Sequence, residues 1–213
     1  MEKALDESTL VQAAQAGDVA AFNRLVVLHE QRIYSLAYRM LSDSDEAADV
    51  TQDVFIAAYR YLPHFKGGSL RAWLCRVATN ACYDHLRLRM RRPSTSLDAM
   101  VDAEDNPAGG LPDHGETPED FSIRHELATD LQIALNQLPP EQRAVSILFD
   151  VQGFSLEEVS LSLGIPMGTV KSRLSRARAR LREFLLTNRA ELFSPAQRSD
   201  SSKLKKSTSP PGP

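Results

Sequence analysis

The sequence predicts an all-α protein built as two small helical domains joined by a flexible acidic linker, and three observations predict it. Apolar residues recur at helical spacing over 8–92 with almost no β-branched alternation, and leucines at the same spacing return after residue 117. Between these blocks, residues 94–126 hold nine Asp or Glu against Arg124 alone, together with Pro107, Gly109, Gly110, Pro112, Gly115 and Pro118. That is the composition of a solvated tether. Finally, the net charge of −3 hides two basic islands. Residues 71–92 carry six Arg against Asp84, and residues 164–182 carry Lys171 and five Arg with no acid. The expected organisation is a first domain over 1–93, a linker over 94–118 and a second domain over 119–187. A tail over 188–213 has too few apolar groups to support a packed core.

Composition also narrows function. With 42% apolar and 25% charged residues, the 213-residue chain can bury a core of ordinary globular size. No stretch approaches the run of roughly 20 apolar residues that spans a bilayer, and the first ten residues lack the build of a secretion signal. A cytoplasmic protein is expected. Five scattered histidines and only two cysteines, Cys75 and Cys82, form no zinc-binding pattern, so neither a metal nor a cofactor is expected. On one helix those cysteines would stand roughly 10 Å apart, beyond disulfide reach, and they read as plain thiols. No phosphate-binding glycine loop or nucleophile elbow occurs, which argues against an enzyme.

Breaks near Gly17, residues 41–44 and residues 63–69 divide the first domain into successive helices. On the third, 100° per residue places Ala47, Val50, Val54, Ala57 and Tyr61 on one core-facing stripe. Another face carries Asp49, Gln52, Asp53, Ile56 and Arg60. Charges alone mark a solvated face, but an aliphatic residue ringed by acids and an amide suits a docking surface, whose centre tends to be apolar and whose rim is polar. The fourth helix, starting near Ser69, buries Leu70, Leu74, Val77, Ala81 and Leu88, with Trp73 at the edge of the stripe. Its other side aligns Arg76, Asn80, Tyr83 and Arg87 at spacings of four, three and four. Cations track phosphates, a ring stacks on an unpaired base and an amide bonds a base edge, so this stripe suits single-stranded DNA. Just before it, Phe65, Lys66, Gly67 and Gly68 form a loop whose backbone can approach a ligand closely. Phe65 serves equally well as a core plug.

In the second domain Thr117 and Pro118 read as a helix cap and first helical residue, leading through Leu127, Leu131 and Leu135 to Leu138, before Pro139 and Pro140. A further helix runs to about Val151, closed by Gly153. Ser155 and Glu158 have capping-box spacing, opening a short helix that stops at Gly164, and a longer basic helix begins at Pro166. A short helix, a glycine turn and a longer basic helix make the helix-turn-helix pattern, whose second helix enters the major groove. That helix sets Val170, Leu174, Ala177, Leu181 and Leu185 on an apolar stripe. Opposite stand Gly168, Ser172 and Ala179, small groups flanked by Lys171, Arg173, Ser175, Arg176, Arg178 and Arg180. A coiled-coil or plain surface helix would leave the upstream turn and caps unexplained.

The segments ADVTQDVFIAAYRYLPHFKGGSLRAWLCRVATNACYDHLR and LPPEQRAVSILFDVQGFSLEEVSLSLGIPMGTVKSRLSRARARL resemble the two conserved domains of extracytoplasmic-function (ECF) sigma factors, of the bacterial sigma-70 family. The likeness covers about residues 6–187. It implies a non-enzymatic factor whose first domain binds the β′ clamp helices of core RNA polymerase and captures the melted minus-ten strand. The second domain, which also meets the β flap, would read the minus-thirty-five duplex, and an anti-sigma factor answering an envelope or oxidative signal would block polymerase docking. On that resemblance Asp49, Gln52, Asp53 and Ile56 belong to the polymerase-docking helix. Phe65, Lys66, Arg76, Asn80, Tyr83 and Arg87 belong to the minus-ten surface, and Thr169, Lys171, Ser172, Arg173, Ser175 and Arg176 to the recognition helix. The chain departs from the pattern in two places. Ala47-Ala48-Asp49 and Asp53 stand where relatives often have Ala-Glu-Asp and a closing Glu, and Thr79 stands where a cation often precedes the Asn.

Overall fold

A computed structural model describes residues 6–91 and 118–192, and among these every regular element is helical. Helix α1 (Glu7–Gln15) turns at Gly17, whose φ of 96° only glycine adopts cheaply, into α2 (Val19–Leu41). Asp18 caps α2 by accepting from the Ala20 and Ala21 amides at 2.8 and 3.1 Å. Helix α3 (Ser44–Tyr61), capped by Asp43, runs into a 3-10 turn (Leu62–His64), and α4 (Leu70–Arg91) follows the glycine loop. Helices α2, α3 and α4 pack on one another around Ile33, Leu36, Met40, Val50, Val54, Leu74 and Ala78, all nearly inaccessible. Each such aliphatic side chain contributes about 1.5–3 kcal/mol by leaving water.

The second unit comprises α5 (Pro118–Asn136), α6 (Pro140–Ser146), a π-helical turn (Ile147–Val151), α7 (Leu156–Leu163) and α8 (Met167–Leu192). Its ends are the expected ones. Pro118 opens α5, and Ser155 and Glu158 form a reciprocal capping box at 3.1 and 2.8 Å. Gly164 ends α7 in the left-handed conformation at φ 65°. The core gathers Leu135, Val145, Ile147, Leu148, Phe154, Val159, Val170 and Ala177. It is continuous with the first core, because α7 lies along α4 and Arg143 donates to the Met40 carbonyl at 2.7 Å.

Several sequence expectations need correction. Ala58, not Ala57, completes the α3 stripe, and Tyr61 is 62% exposed because the chain tightens there and Leu62 takes the core position. Leu88 is 53% exposed, lying on the last turns of α4 among exposed neighbours. Leu127 and Leu185 are also exposed, at 57% and 40%. Helix α8 continues through Leu192, past the boundary expected at residue 187. The acidic tether, apart from its last residue, and the tail beyond residue 192 lie outside the described residues.

Candidate polymerase and nucleic-acid interfaces

Three surfaces carry the predicted site residues. The first lies between α2 and α3, where a groove of about 770 Å³ is lined by Phe22, Val26, Tyr34, Gln52, Phe55, Ile56 and Tyr59. Ile56 is 43% exposed, as its place among polar neighbours predicted, and Asp49 and Asp53 are exposed beside it. Of the groove's apolar lining the sequence singled out only Ile56, yet aromatic rings contribute much of it: Phe22 and Tyr59 meet edge-to-face at 5.0 Å, and Tyr59 is half-exposed. An alternative signal was available, since Phe22, Val26, Phe55 and Tyr59 each repeat at a spacing of four on facing helices.

The second surface is the loop before α4 with the outer stripe of that helix. Gly67 and Gly68 both take left-handed φ, 92° and 95°, so only glycine bends the loop this way without strain. Phe65 sits half-buried against Trp73 with ring centroids 5.4 Å apart, so it anchors the loop, while Lys66 stays exposed. Gln15 of α1 donates its amide to the Leu62 and Phe65 carbonyls at 3.0 and 2.8 Å, pinning the loop to the bundle. Loop and α1 together enclose a hollow of about 670 Å³ lined by Ser8, Gln12, Gln15, Phe65, Lys66 and the two glycines, among others. Along α4, Arg76, Asn80 and Arg87 are exposed. Arg87 pairs with Asp84 at 3.0 Å, a solvent-exposed contact of little energetic weight. Tyr83, expected as a free stacking ring, is half-buried, and burial first, then Glu141, pushes its hydroxyl up to about 12. Thr79 is buried and donates its hydroxyl to the Cys75 carbonyl at 2.8 Å. Cys75 and Cys82 are buried free thiols, each pushed up to about 12 chiefly by burial.

The third surface is α8. Its inner stripe buries Val170, Leu174 and Ala177, and this leaves Lys171, Ser175 and Arg176 exposed and Arg173 half-exposed on the outer side. Thr169 and Ser172 are half-buried, and the Ser172 hydroxyl donates to the Thr169 carbonyl at 3.0 Å. Arg178 is held by Asp150 at 2.6 Å and lies over the Phe149 ring, so it is pre-engaged inside its own unit. A helix with small residues at the centre of its outer face and cations around them can enter a major groove and meet phosphates on either side. Among the described residues no group of His, Cys, Asp or Glu could hold a metal ion, and no helix is long and apolar enough to cross a membrane.

Comparison with known proteins assigns both units to one family. A family model of sigma-70 region 2 matches residues 25–92, and one of sigma-70 region 4 matches residues 129–181. The chain is 37% identical over 178 residues to the ECF RNA polymerase sigma factor SigE of Mycolicibacterium smegmatis, covering 82% of this chain and 66% of that protein. It is 36% identical over 179 residues to the ECF RNA polymerase sigma-E factor of Escherichia coli, covering 84% and 93%. Among solved structures, CnrH in complex with the cytosolic domain of CnrY superposes with a TM-score of 0.64 at 27% identity, covering 85% of this chain and 98% of that one. The sigma factor RpoE in complex with the anti-sigma factor NepR from Bartonella quintana does so with a TM-score of 0.59 at 29% identity, covering 80% and 99%. With both region models in this order and a relative 36% identical that is covered over 93% of its length, the chain belongs to the ECF RNA polymerase sigma factors of the sigma-70 family.

Proposed function

We propose that the chain acts in the cytoplasm, docks on core RNA polymerase and directs it to a promoter in two steps of recognition, catalysing no reaction itself. The α2–α3 groove, with Asp49, Gln52, Asp53 and Ile56, receives the β′ clamp helices, and the second unit meets the β flap. Lys171, Ser172, Arg173, Ser175 and Arg176, with Thr169 at the start of α8, read the minus-thirty-five element as duplex. Phe65, Lys66, Arg76, Asn80, Tyr83 and Arg87 hold the melted minus-ten strand. The observation that carries this reading is a doubly left-handed glycine loop, fixed by Gln15 and by Phe65 on Trp73, that leads directly into α4, on which Arg76 and Asn80 are exposed. Unpaired bases captured there offset the cost of opening the duplex, a few kcal/mol for each unstacked base. An anti-sigma factor, the kind of partner named in the solved complex of the Bartonella quintana relative, controls access to the polymerase-docking surface.

Run-off transcription with purified core polymerase tests the capture step. Asn80→Ala and Arg76→Ala are expected to lower activity roughly 5- to 150-fold on a duplex promoter, the loss of one base contact of about 1–3 kcal/mol, and to lower it less on a promoter already melted. Wild-type activity on both templates would remove the assignment.

A further inference from the structure

We infer that Gln15 is a positioning residue for minus-ten capture: its side-chain amide holds the 65–68 loop in the shape that receives an unpaired base, without reading the base itself. The inference deepens the proposed function and rests on its assignment of that loop. It gives α1 a part in promoter opening, although none of the residues assigned to the promoter lies on that helix.

Helix α1 is placed for this task. Leu10, Val11 and Ala14 are buried, and α1 packs both on α2 and on the 3-10 turn that leads into the loop. Ser8, Val11, Gln12 and Gln15 lie three or four residues apart along one side of the helix, and all four line the hollow between α1 and the loop. Gln15 is the last residue of α1, just before the left-handed Gly17 turns the chain into α2. Its side chain is half-buried there. The amide nitrogen carries two N–H donors and meets two acceptors, the Leu62 carbonyl at 3.0 Å and the Phe65 carbonyl at 2.8 Å. One side chain thus spans the 3-10 turn and ties both of its ends to a helix 47 and 50 residues away in sequence.

The loop has little else to fix it. The Phe65 amide donates to the Leu62 carbonyl at 2.9 Å, and the Phe65 ring lies against Trp73. At the far side Ser69 caps α4, its hydroxyl oxygen accepting from the Ala72 amide at 3.1 Å. Between these points Lys66, Gly67 and Gly68 make no hydrogen bond among the described residues. Packing does not impose the shape either, since a Cβ built on either glycine would meet nothing within 4 Å. Both glycines hold left-handed φ, yet glycine visits other conformations as readily and loses more freedom on ordering than any other residue. Such a loop keeps one shape only when its ends are held. Ser69 holds the leaving end, and Gln15 holds the backbone of the entering end.

A positioning role has its own signature. A group that acts by populating the competent loop changes apparent affinity for every base by one common factor, because only the competent fraction has changed. A group that touches the base changes the preference between bases instead. Two hydrogen bonds of ordinary net strength are enough to shift the competent fraction roughly 10-fold.

Gln15→Met tests this, because methionine keeps the length and the helix propensity of glutamine and removes both donors. The full chain is assembled with purified core polymerase, and fluorescence anisotropy follows its binding to a single-stranded oligonucleotide. The oligonucleotide carries the minus-ten sequence of a promoter that the holoenzyme transcribes, and its single-base variants are measured beside it. Gln15→Met is expected to weaken binding roughly 10-fold, by the same factor for every base variant, and to speed amide hydrogen exchange at Phe65 several-fold. Association with core polymerase and binding to a minus-thirty-five duplex are expected to be unchanged. Asn80→Ala, measured in parallel, is expected to alter the preference between bases. Wild-type strand affinity in Gln15→Met, with Asn80→Ala altered, would overturn the inference alone. A changed base preference in Gln15→Met would make the amide a base contact and overturn the positioning role. Loss of core association together with strand binding would show that the amide holds the bundle as a whole, and would overturn it as well. A wild-type holoenzyme without preference among the bases would refute the assignment of the loop and α4 to the minus-ten strand.

Discussion

The two basic helices, α4 and α8, resemble each other in sequence and differ in how the fold holds them. Helix α4 is gripped by α2, α3 and α7, so Leu70, Leu74, Cys75, Ala78, Thr79 and Cys82 are all buried and its cations emerge as a narrow stripe. Among its described side chains, helix α8 buries only Val170, Leu174 and Ala177 near its start, and then carries half-buried Leu181 and exposed Leu185 and Leu186 outward. The difference follows the two tasks proposed for them. Holding splayed bases needs side chains fixed against a rigid wall, as Phe65 and Tyr83 are. Entering a groove needs a rod free on most of its circumference, with cations able to find phosphates.

The largest expected effect breaks this comparison directly. Leu74→Ala removes a side chain that is 2% exposed in the wall of α4 and should cost about 2–5 kcal/mol of unfolding free energy. Leu185→Ala on α8 should cost well under ~1 kcal/mol, since the side chain already meets water. Urea denaturation of both variants measures the contrast, and equal losses would mean that α8 is embedded as deeply as α4.

A smaller effect sharpens the contrast at the level of DNA. Each cation of α8 that neutralises a phosphate of duplex DNA contributes about 0.9 to the slope of log affinity against log salt, whereas a contact to a single strand contributes about 0.7. Holoenzyme with Arg176→Ala is therefore expected to show a shallower salt slope on a minus-thirty-five duplex and an unchanged slope on a minus-ten single strand. Arg76→Ala is expected to do the reverse. A change of slope on both probes from either variant would show that the two surfaces do not divide the work.

Much of this was legible because local signals agreed with global ones. The stops at Gly17 and Gly164, the Ser155 capping box and the Pro118 start are each set within four or five residues of chain, and the fold keeps all of them. The stripe Ala47, Val50 and Val54 held for the same reason, and failed only where α3 tightens into the 3-10 turn, a change of pitch that a fixed 100° step cannot follow. Other features depend on long-range contact. No local pattern sets Arg143 apart, yet it is half-buried against carbonyls of two other helices, and desolvation holds its guanidinium below the usual arginine range. The second buried side of α4, Ala72, Cys75 and Thr79, is made of small residues that score weakly on any hydrophobic stripe. Tyr83 consequently seemed free, although α7 packs along the helix that bears it.

The smallest predicted effect lies at the seam between the compared helices, at the start of α7. Ser155→Ala deletes one half of the capping box and should cost about 1 kcal/mol, read as a shift of the urea midpoint with an unchanged slope. The same site carries a pH signature of known sign. The Ser155 amide, followed by Arg71, holds the Glu158 carboxyl below its ordinary value, so Glu158 binds its proton less readily in the folded than in the unfolded chain. Its contribution is therefore present above the unfolded carboxylate value near ~4.3 and lost as pH falls through the lower folded value. Glu158→Gln should flatten this acid limb of the stability curve while leaving the neutral region displaced by a nearly constant amount. Glu158 also pairs with Arg71 at 2.8 Å, so Arg71→Ala should weaken the same acid limb in part. An acid limb that persisted unchanged in Glu158→Gln would place the acid-sensitive group elsewhere.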